Sequence, residues 1–161
     1  MKSVTKILVS LLVVITMVGC VGKRSSQAYY DYKSKVIGSE LDGSYTIRSF
    51  GRARNAVDGY VQAQKQAVLD VIFYGVQAAS TGQRDLKPLL FDMNARDKYE
   101  DYFNAFFADH GEYTNFCSMK EKRVLTTNSN RTNAQTLVET TVCVFRSQLK
   151  QKLIEDGILK E

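Results

Sequence analysis

The sequence has few of the residues that most often perform catalysis or bind metals. Its 161 residues include one His, three Cys and no Trp. A Ser-His-Asp or Cys-His site would have to be built on His110, which precedes Gly111 at the predicted end of a helix, where His usually interacts with terminal carbonyl groups. No Cys pair has the close spacing of a zinc site, and there is no glycine-rich phosphate loop. We therefore predict no catalytic residue, no metal and no cofactor, and we do not expect an enzyme.

Proline is scarce, and neither sign of charge dominates strongly. The chain has one Pro and 44% hydrophobic residues, which favours a folded core over disorder. The net charge of +5 implies a weak preference for anionic lipid or an acidic partner, and we predict no nucleic acid partner. The closest approach to a calcium site is Asp97, Glu100 and Asp101, but these side chains diverge around a predicted helix.

The N-terminus has the pattern of a secretory signal. Lys2 and Lys6 supply its positive charge, and the apolar run from Ile7 to Val18 matches the roughly 7–15 residues of a signal-peptide core. A membrane-spanning helix needs about 20 such residues. The pattern therefore predicts export rather than a permanent span.

The apolar run closes with Met17-Val18-Gly19-Cys20, which resembles the lipobox of bacterial lipoproteins. The resemblance implies that residues 1–19 are a lipoprotein signal peptide and that Cys20 becomes the lipid-bearing first residue. Acyl chains such as palmitate on Cys20 would then be the membrane anchor, because several chains together hold a protein stably. The alternative is an ordinary signal peptide followed by an incidental Cys.

The residues after Cys20 bear on where such a lipoprotein would go. By resemblance to lipoprotein sorting, Val21 in place of Asp implies the outer membrane of a Gram-negative bacterium. Lys23 and Arg24 differ from the acidic stretch that surface-exported lipoproteins of some gut bacteria carry here. We therefore expect the protein to face the periplasm.

The remaining chain divides into a lipidated tether, residues 20–44, and a single domain, residues 45–161. The tether is interpreted from its many Gly and Ser residues. The domain begins with a strand at Tyr45–Arg52, because this segment alternates and is rich in β-formers. A helix follows, capped by Asn55 with Asp58 as its capping-box partner.

The second half of the domain predicts a helix, a hairpin and a closing helix. The helix at 95–109 has one aromatic face that we expect to pack in the core; its members are Tyr99, Tyr102, Phe103, Phe106 and Phe107. Strands at 113–126 and 134–146 flank a polar turn. The closing helix starts near Ser147 and ends at Gly157. The order β-α-α-β-β-α predicts an α+β fold, with helices on one face of a small antiparallel sheet.

Three parts of this domain are similar to a known group of proteins. They are the strand and small-residue turn at 47–53, the alanine-spaced helix with Ala56, Ala63 and Ala67, and the ending Val142-Cys143-Val144-Phe145 followed by Leu149, Leu153 and Gly157. Together they resemble small bacterial envelope lipoproteins and the N-terminal domain of a flagellar assembly accessory protein. The resemblance implies a non-catalytic, lipid-anchored envelope protein that binds an envelope protein partner or helps an assembly.

Two other functions remain open. A small-ligand or cell-wall binding module would use a pocket lined by tyrosines such as Tyr45, Tyr60 and Tyr74. A hydrolase would need a cleft with two carboxylates, or His110 beside Ser or Asp.

The predicted hairpin carries two Cys and a basic group. Cys117 and Cys143 are equidistant from Asn130 at the predicted turn, so they would face each other within disulfide reach. An oxidising compartment favours that bridge, and the alternatives are two buried thiols or a register shifted by one. Lys120 and Lys122 would share one strand face and, with Arg123, protect an edge or meet an anionic partner.

Overall fold

A mixed five-stranded sheet organises the described part of the protein. The computed structural model describes residues 32–128 and 135–160, and the chain from Tyr32 onward forms one compact unit. The strands are β1 (Lys35–Ser39), β2 (Tyr45–Ala53), β3 (Gln77–Ala78), β4 (Cys117–Asn128) and β5 (Gln135–Val144). The strand order across the sheet is β3-β1-β2-β5-β4. Only β1 and β3 pair in parallel, whereas the other neighbours are antiparallel.

The described residues also contain four α-helices. They are α1 (Ala56–Leu69), α2 (Ala95–Lys98), α3 (Glu100–Phe106) and α4 (Arg146–Glu155). A π-helical turn, Asp70–Tyr74, extends α1, and a 3₁₀ helix, Glu112–Phe116, precedes β4. None of the helices within residues 32–128 and 135–160 is long and apolar enough to cross a membrane.

The predicted α+β class is confirmed, but the predicted order lacks two strands. β1 lies within the segment interpreted as a tether and pairs with β2 on one side and β3 on the other. Its Val36 is only 2% exposed and belongs to the core. The folded unit therefore reaches back before Tyr45. The predicted signal peptide, Cys20 and the first part of the predicted tether lie outside the described residues.

Helix α1 starts where the sequence predicts and packs closely on the sheet. Asn55 accepts a hydrogen bond from the Asp58 backbone N–H at 2.8 Å, and its amide donates to the Asp58 carboxylate at 2.8 Å. Gly51 of β2 lies so close to Gly59 and Ala63 of α1 that a Cβ at Gly51 would collide with backbone. The small residues therefore set the distance between helix and sheet.

The predicted helix at 95–109 is two short helices that meet at Tyr99, the residue between α2 and α3. Phe103 and Phe106 are buried as expected, and the other aromatic residues of that face pack partly against the same core. The closing helix buries Leu149 and Leu153, and Gly157 follows its last turn.

The hairpin pairs in a register that keeps the two Cys apart. Cys117 pairs with Val144, and Cys143 pairs with Ser118, so the two Cys are offset by one position. Because side chains alternate along a strand, a one-residue offset sends them to opposite faces of the sheet. Both are buried free thiols, and the predicted disulfide is wrong.

A β-bulge explains the placement of the basic group on β4. The pairing of β4 with β5 shifts between Met119 and Glu121, and a bulge reverses the alternation that follows it. Lys120 pairs with Glu40 at 3.1 Å, whereas the Lys122 ammonium lies 5.5 Å from the centre of the Tyr60 ring on α1. The expectation that Lys120 and Lys122 share a face is therefore wrong.

Candidate functional site

A cleft of about 500 Å³ lies where the start of the folded unit meets the end of helix α1. The residues that line it come from the segment before β1, from β2, from the end of α1, from the π-helical turn and the glycine after it, and from β3. They are Tyr32, Lys33, Ser34, Phe50, Gln66, Asp70, Tyr74, Gly75 and Gln77. Its volume falls within the roughly 300–1,000 Å³ typical of small-molecule sites.

The carboxylate of Asp70 is the most unusual group in this cleft. Asp70 is only 9% exposed, although its side chain is an ionisable carboxyl group. Gln66 donates a side-chain hydrogen bond to it at 2.7 Å, and the Ser34 hydroxyl also bonds it. Burial raises the pKa of the Asp70 carboxyl, and these two hydrogen bonds offset part of that rise. A carboxylate kept in such a place without a cation is costly to the folded state.

Serine side chains continue the polar floor towards the sheet. The hydroxyls of Ser34 and Ser49 lie 3.3 Å apart, and both residues are buried. Ser34 thus links the carboxylate of Asp70 to the centre of β2. The polar groups at the floor are held by partners on three different elements.

Aromatic rings also line the cleft. The ring centres of Tyr32 and Phe50 are 5.5 Å apart in an edge-to-face arrangement. Tyr74 is 65% exposed, although burying a Tyr ring usually stabilises the folded protein. The cleft therefore combines a buried carboxylate with accessible aromatic surface.

The π-helical turn explains why Asp70 and Tyr74 lie at the same site. The Gly75 N–H donates to the Asp70 carbonyl at 2.7 Å, which closes the wide turn. Gly75 has a φ of 75°, and a side chain there would collide with Leu86 and Pro88. π-Helical turns occur frequently at functional sites.

The three tyrosines predicted to line a pocket do not come together. Tyr74 lies at the cleft, whereas Tyr60 contacts Lys122 and Tyr45 packs against the hydrophobic core. Tyr32 and Phe50 take the places that Tyr45 and Tyr60 were expected to fill. A shared pocket needs side chains from distant parts of the chain, and residue type alone does not reveal which ones meet.

His110 is exposed and has a φ of 59°, at the turn that follows α3. Its neighbour Asp109 forms an ion pair with Lys65 at 2.9 Å. Within residues 32–128 and 135–160, no three His, Cys, Asp or Glu side chains cluster as a metal site would require.

Cys117 is buried and its thiol takes part in two hydrogen bonds. The Cys117 thiol donates to the Tyr113 carbonyl at 3.2 Å and accepts from the Gln64 amide at 3.1 Å. Burial raises the pKa of Cys117 to about 11, so its thiol stays protonated at neutral pH. A protonated, buried thiol is a poor nucleophile, and we assign Cys117 a packing role.

Asp70 was not predicted as a site residue, although its position in the sequence carries one signal. Asp70 interrupts an apolar stretch in which Val68, Val71 and Ile72 all become fully buried. An acid on a buried stretch needs a structural or functional reason. Ser34 had no such signal, because it lies in the segment interpreted as a tether.

Comparison with known proteins identifies no relative of this chain. No protein-family model, no curated protein and no solved structure matches it.

Proposed function

We propose that the protein is a lipid-anchored, non-catalytic component of the cell envelope that binds another envelope protein or supports an assembly. Acyl chains on Cys20 hold it to the periplasmic side of the outer membrane. In this proposal the resemblance to small envelope lipoproteins and to the flagellar assembly accessory domain supplies the class of function. Nucleic acid has no part in it.

The observation that carries the proposal is the order of segments at the N-terminus. A positively charged start, an apolar run and Cys20 precede a folded unit that begins at Tyr32. This order of segments suits a protein that works at a membrane surface.

We place the binding surface on the sheet face that α1 does not cover. In this proposal all helices lie on the other face, as the sequence predicts. Arg48, Arg52 and Arg123 project from strands β2 and β4 and are exposed. Strand β4 is also an edge of the sheet and runs for twelve residues, Cys117–Asn128. Exposed edges of this length can accept a strand from another protein.

Metabolic labelling of the full chain with a palmitate analogue tests the anchor. We expect the label on the wild-type protein and none on Cys20→Ser, whereas Cys143→Ala serves as the control that keeps it. Wild-type protein should also sediment with outer membranes. An unlabelled wild type, or a Cys20→Ser variant held at the membrane as firmly as the wild type, would contradict the proposal.

Crosslinking in intact envelopes tests the binding surface. One envelope protein should crosslink to the wild type and be lost when Arg48 and Arg123 are both replaced by Glu. Lys150→Glu changes the same kind of charge on the exposed side of α4, and this control should keep the crosslink. Equal crosslinking by all three proteins would exclude this face.

A second function, a small-ligand or cell-wall binding module, is favoured by the cleft at Asp70. Its volume, its aromatic side and its buried carboxylate are the features of a ligand site. Both functions are compatible with a lipid anchor at Cys20. The cleft and the sheet face belong to one folded unit, and that unit follows Cys20 in the chain.

A further inference from the structure

Within the residues that the structure describes, the Asp70 carboxylate has hydrogen bonds but no ion pair, although Lys33 also lines the cleft. Its partners, Gln66 and Ser34, are neutral groups. The ion pairs of the described residues involve other carboxylates, those of Asp109, Glu40, Glu112 and Asp156. A buried carboxylate is stabilised far more by a paired cation than by neutral donors alone.

The aromatic rings that line the cleft also favour a cationic ligand. Tyr74 and Phe50 line the same space as Asp70, and Tyr74 keeps most of its ring in solvent. The faces of aromatic rings attract ammonium and guanidinium groups, by about 0.5–2 kcal/mol depending on desolvation. A carboxylate and ring faces around one space therefore select the same class of ligand.

We infer that the cleft binds an organic cation, a primary ammonium or a guanidinium, which pairs with Asp70 and lies against the rings of Tyr74 and Phe50. The cation enters from the exposed Tyr74 side. The aliphatic stem that carries the cation then extends past Tyr74 towards solvent.

The backbone holds this arrangement before any ligand arrives. Asp70 and Tyr74 stand at the two ends of one π-helical turn, which the hydrogen bond from Gly75 closes. On the β2 side, the hydroxyl oxygens of Ser34 and Ser49 lie 3.3 Å apart, and this hydrogen bond helps to hold Ser34 in place. Because these groups are already ordered, ligand binding loses little conformational entropy at the site.

Titration of the full chain in detergent with n-butylammonium and n-butylguanidinium, followed by amide NMR shifts, tests the cation preference. We expect saturable shifts at residues around the cleft and none with the neutral n-butanol. The Asp70→Asn variant keeps the shape of the side chain, and its affinity should fall by about tenfold, which corresponds to roughly 1.4 kcal/mol.

Matched variants separate the cleft from the rest of the surface. Tyr74→Ala should weaken binding roughly two- to fivefold through the lost ring. Tyr60→Ala removes a ring outside the cleft, and Asp97→Asn removes an exposed carboxylate outside it; neither should change the affinity. The absence of saturable shifts in the wild type, or equal affinity in Asp70→Asn, would overturn the inference.

The source of the cation is distinguished by presenting the same group on a peptide. A capped peptide Gly-Gly-Lys-Gly that binds more tightly than n-butylammonium would assign the cation to a protein partner, and equal affinities would assign it to a small molecule. Binding at the cleft rests on the proposed binding role but not on the lipid anchor. The titration of Cys20→Ser separates the two, because loss of the anchor should leave the NMR shifts unchanged.

Discussion

Among single residues, Asp70 shows how a charge can be retained in a buried place at a cost to stability. Its pKa is raised by burial above the usual 3.8 of a carboxyl, and Gln66 and Ser34 compensate only in part. Between the unfolded-state and folded-state pKa values, the folded chain therefore keeps a proton that the unfolded chain has released. The stabilisation that the protonated Asp70 gives the folded state is fully present below the unfolded-state pKa. It is lost as the pH rises through the folded-state pKa, so the free energy of unfolding falls over that range.

This linkage predicts a pH-dependent gain for Asp70→Asn. Near neutral pH we expect the free energy of unfolding of the variant to exceed that of the wild type by roughly 1 kcal/mol. The reason is that a neutral amide can keep both hydrogen bonds without a buried charge. The gain should disappear at a pH below the unfolded-state value of 3.8. Urea unfolding of both proteins across this range measures the difference, and a gain that is constant with pH would show that ionisation of Asp70 has no part in it.

The two buried thiols predict a second residue-level result. In a Cys20→Ser background, Cys117 and Cys143 should both remain unmodified by iodoacetamide in the folded protein and react once the chain is unfolded, because both are buried. Peptide mapping without reductant should find the two peptides separate. A linked pair would mean that the strands pair in the other register.

Among the elements, the contact between α1 and the sheet depends on glycine rather than on large apolar side chains. Gly51 faces the α1 backbone at Gly59, and Gly59 faces Val138 of β5. The backbone of the helix therefore approaches the centre of the sheet. This close approach positions the last turn of α1, and with it Asp70, beside Ser34.

The same contact predicts that Gly51→Ala is destabilising. A Cβ at Gly51 would meet helix backbone, which cannot move aside as a flexible side chain can, and overpacking of this kind costs about 1–3 kcal/mol. Gly38→Ala in β1 is the matched control, because its Cβ would lie at an ordinary 3.6 Å from Thr46. It should change the free energy of unfolding by less than about 0.5 kcal/mol. Urea unfolding monitored by circular dichroism compares the two, and equal losses would refute the close approach.

In the whole molecule, the sheet joins the start of the described chain to its middle and its end. β1 pairs with β2 and β3, and β2 pairs with β5. Val36 of β1 is buried in the same core cluster as Leu149 and Leu153 of α4. β1 thus packs into the same core as the rest of the fold, and we expect it to unfold together with that core.

A truncation at each possible start of the domain tests this. A chain that begins at Tyr32 should unfold cooperatively, whereas one that begins at Tyr45 loses β1, leaves β2 as an unpaired edge and exposes the core around Val36. We expect the shorter chain to be unfolded or to aggregate. Thermal melts by circular dichroism distinguish the outcomes, and two equally sharp transitions would place β1 outside the cooperative unit.

How far the sequence predicts the fold depends on whether a feature is local. Asn55 and Asp58 interact within one helical turn, and the aromatic spacing at Phe103 and Phe106 repeats along one face, so both were predicted correctly. β3 has only two residues and pairs with β1 from far along the chain. β1 pairs with β2 across a short turn, but it has only five residues and lies in a segment rich in Gly and Ser, so it was interpreted as tether. The Asp70 cleft was missed because Ser34, Phe50 and Tyr74 are distant in the sequence and meet only in the folded chain.

The sequence by itself determined the α+β class, the start of α1 and the segments of the hairpin, because periodicity and capping act between near neighbours in the chain. It also carries the N-terminal pattern behind the proposed anchor at Cys20. The tertiary structure alone decided that Cys117 and Cys143 face opposite ways, since strand register is settled by packing across the sheet. It alone also brought a buried carboxylate and three aromatic rings to one cleft, because that site joins three elements that are distant in the sequence.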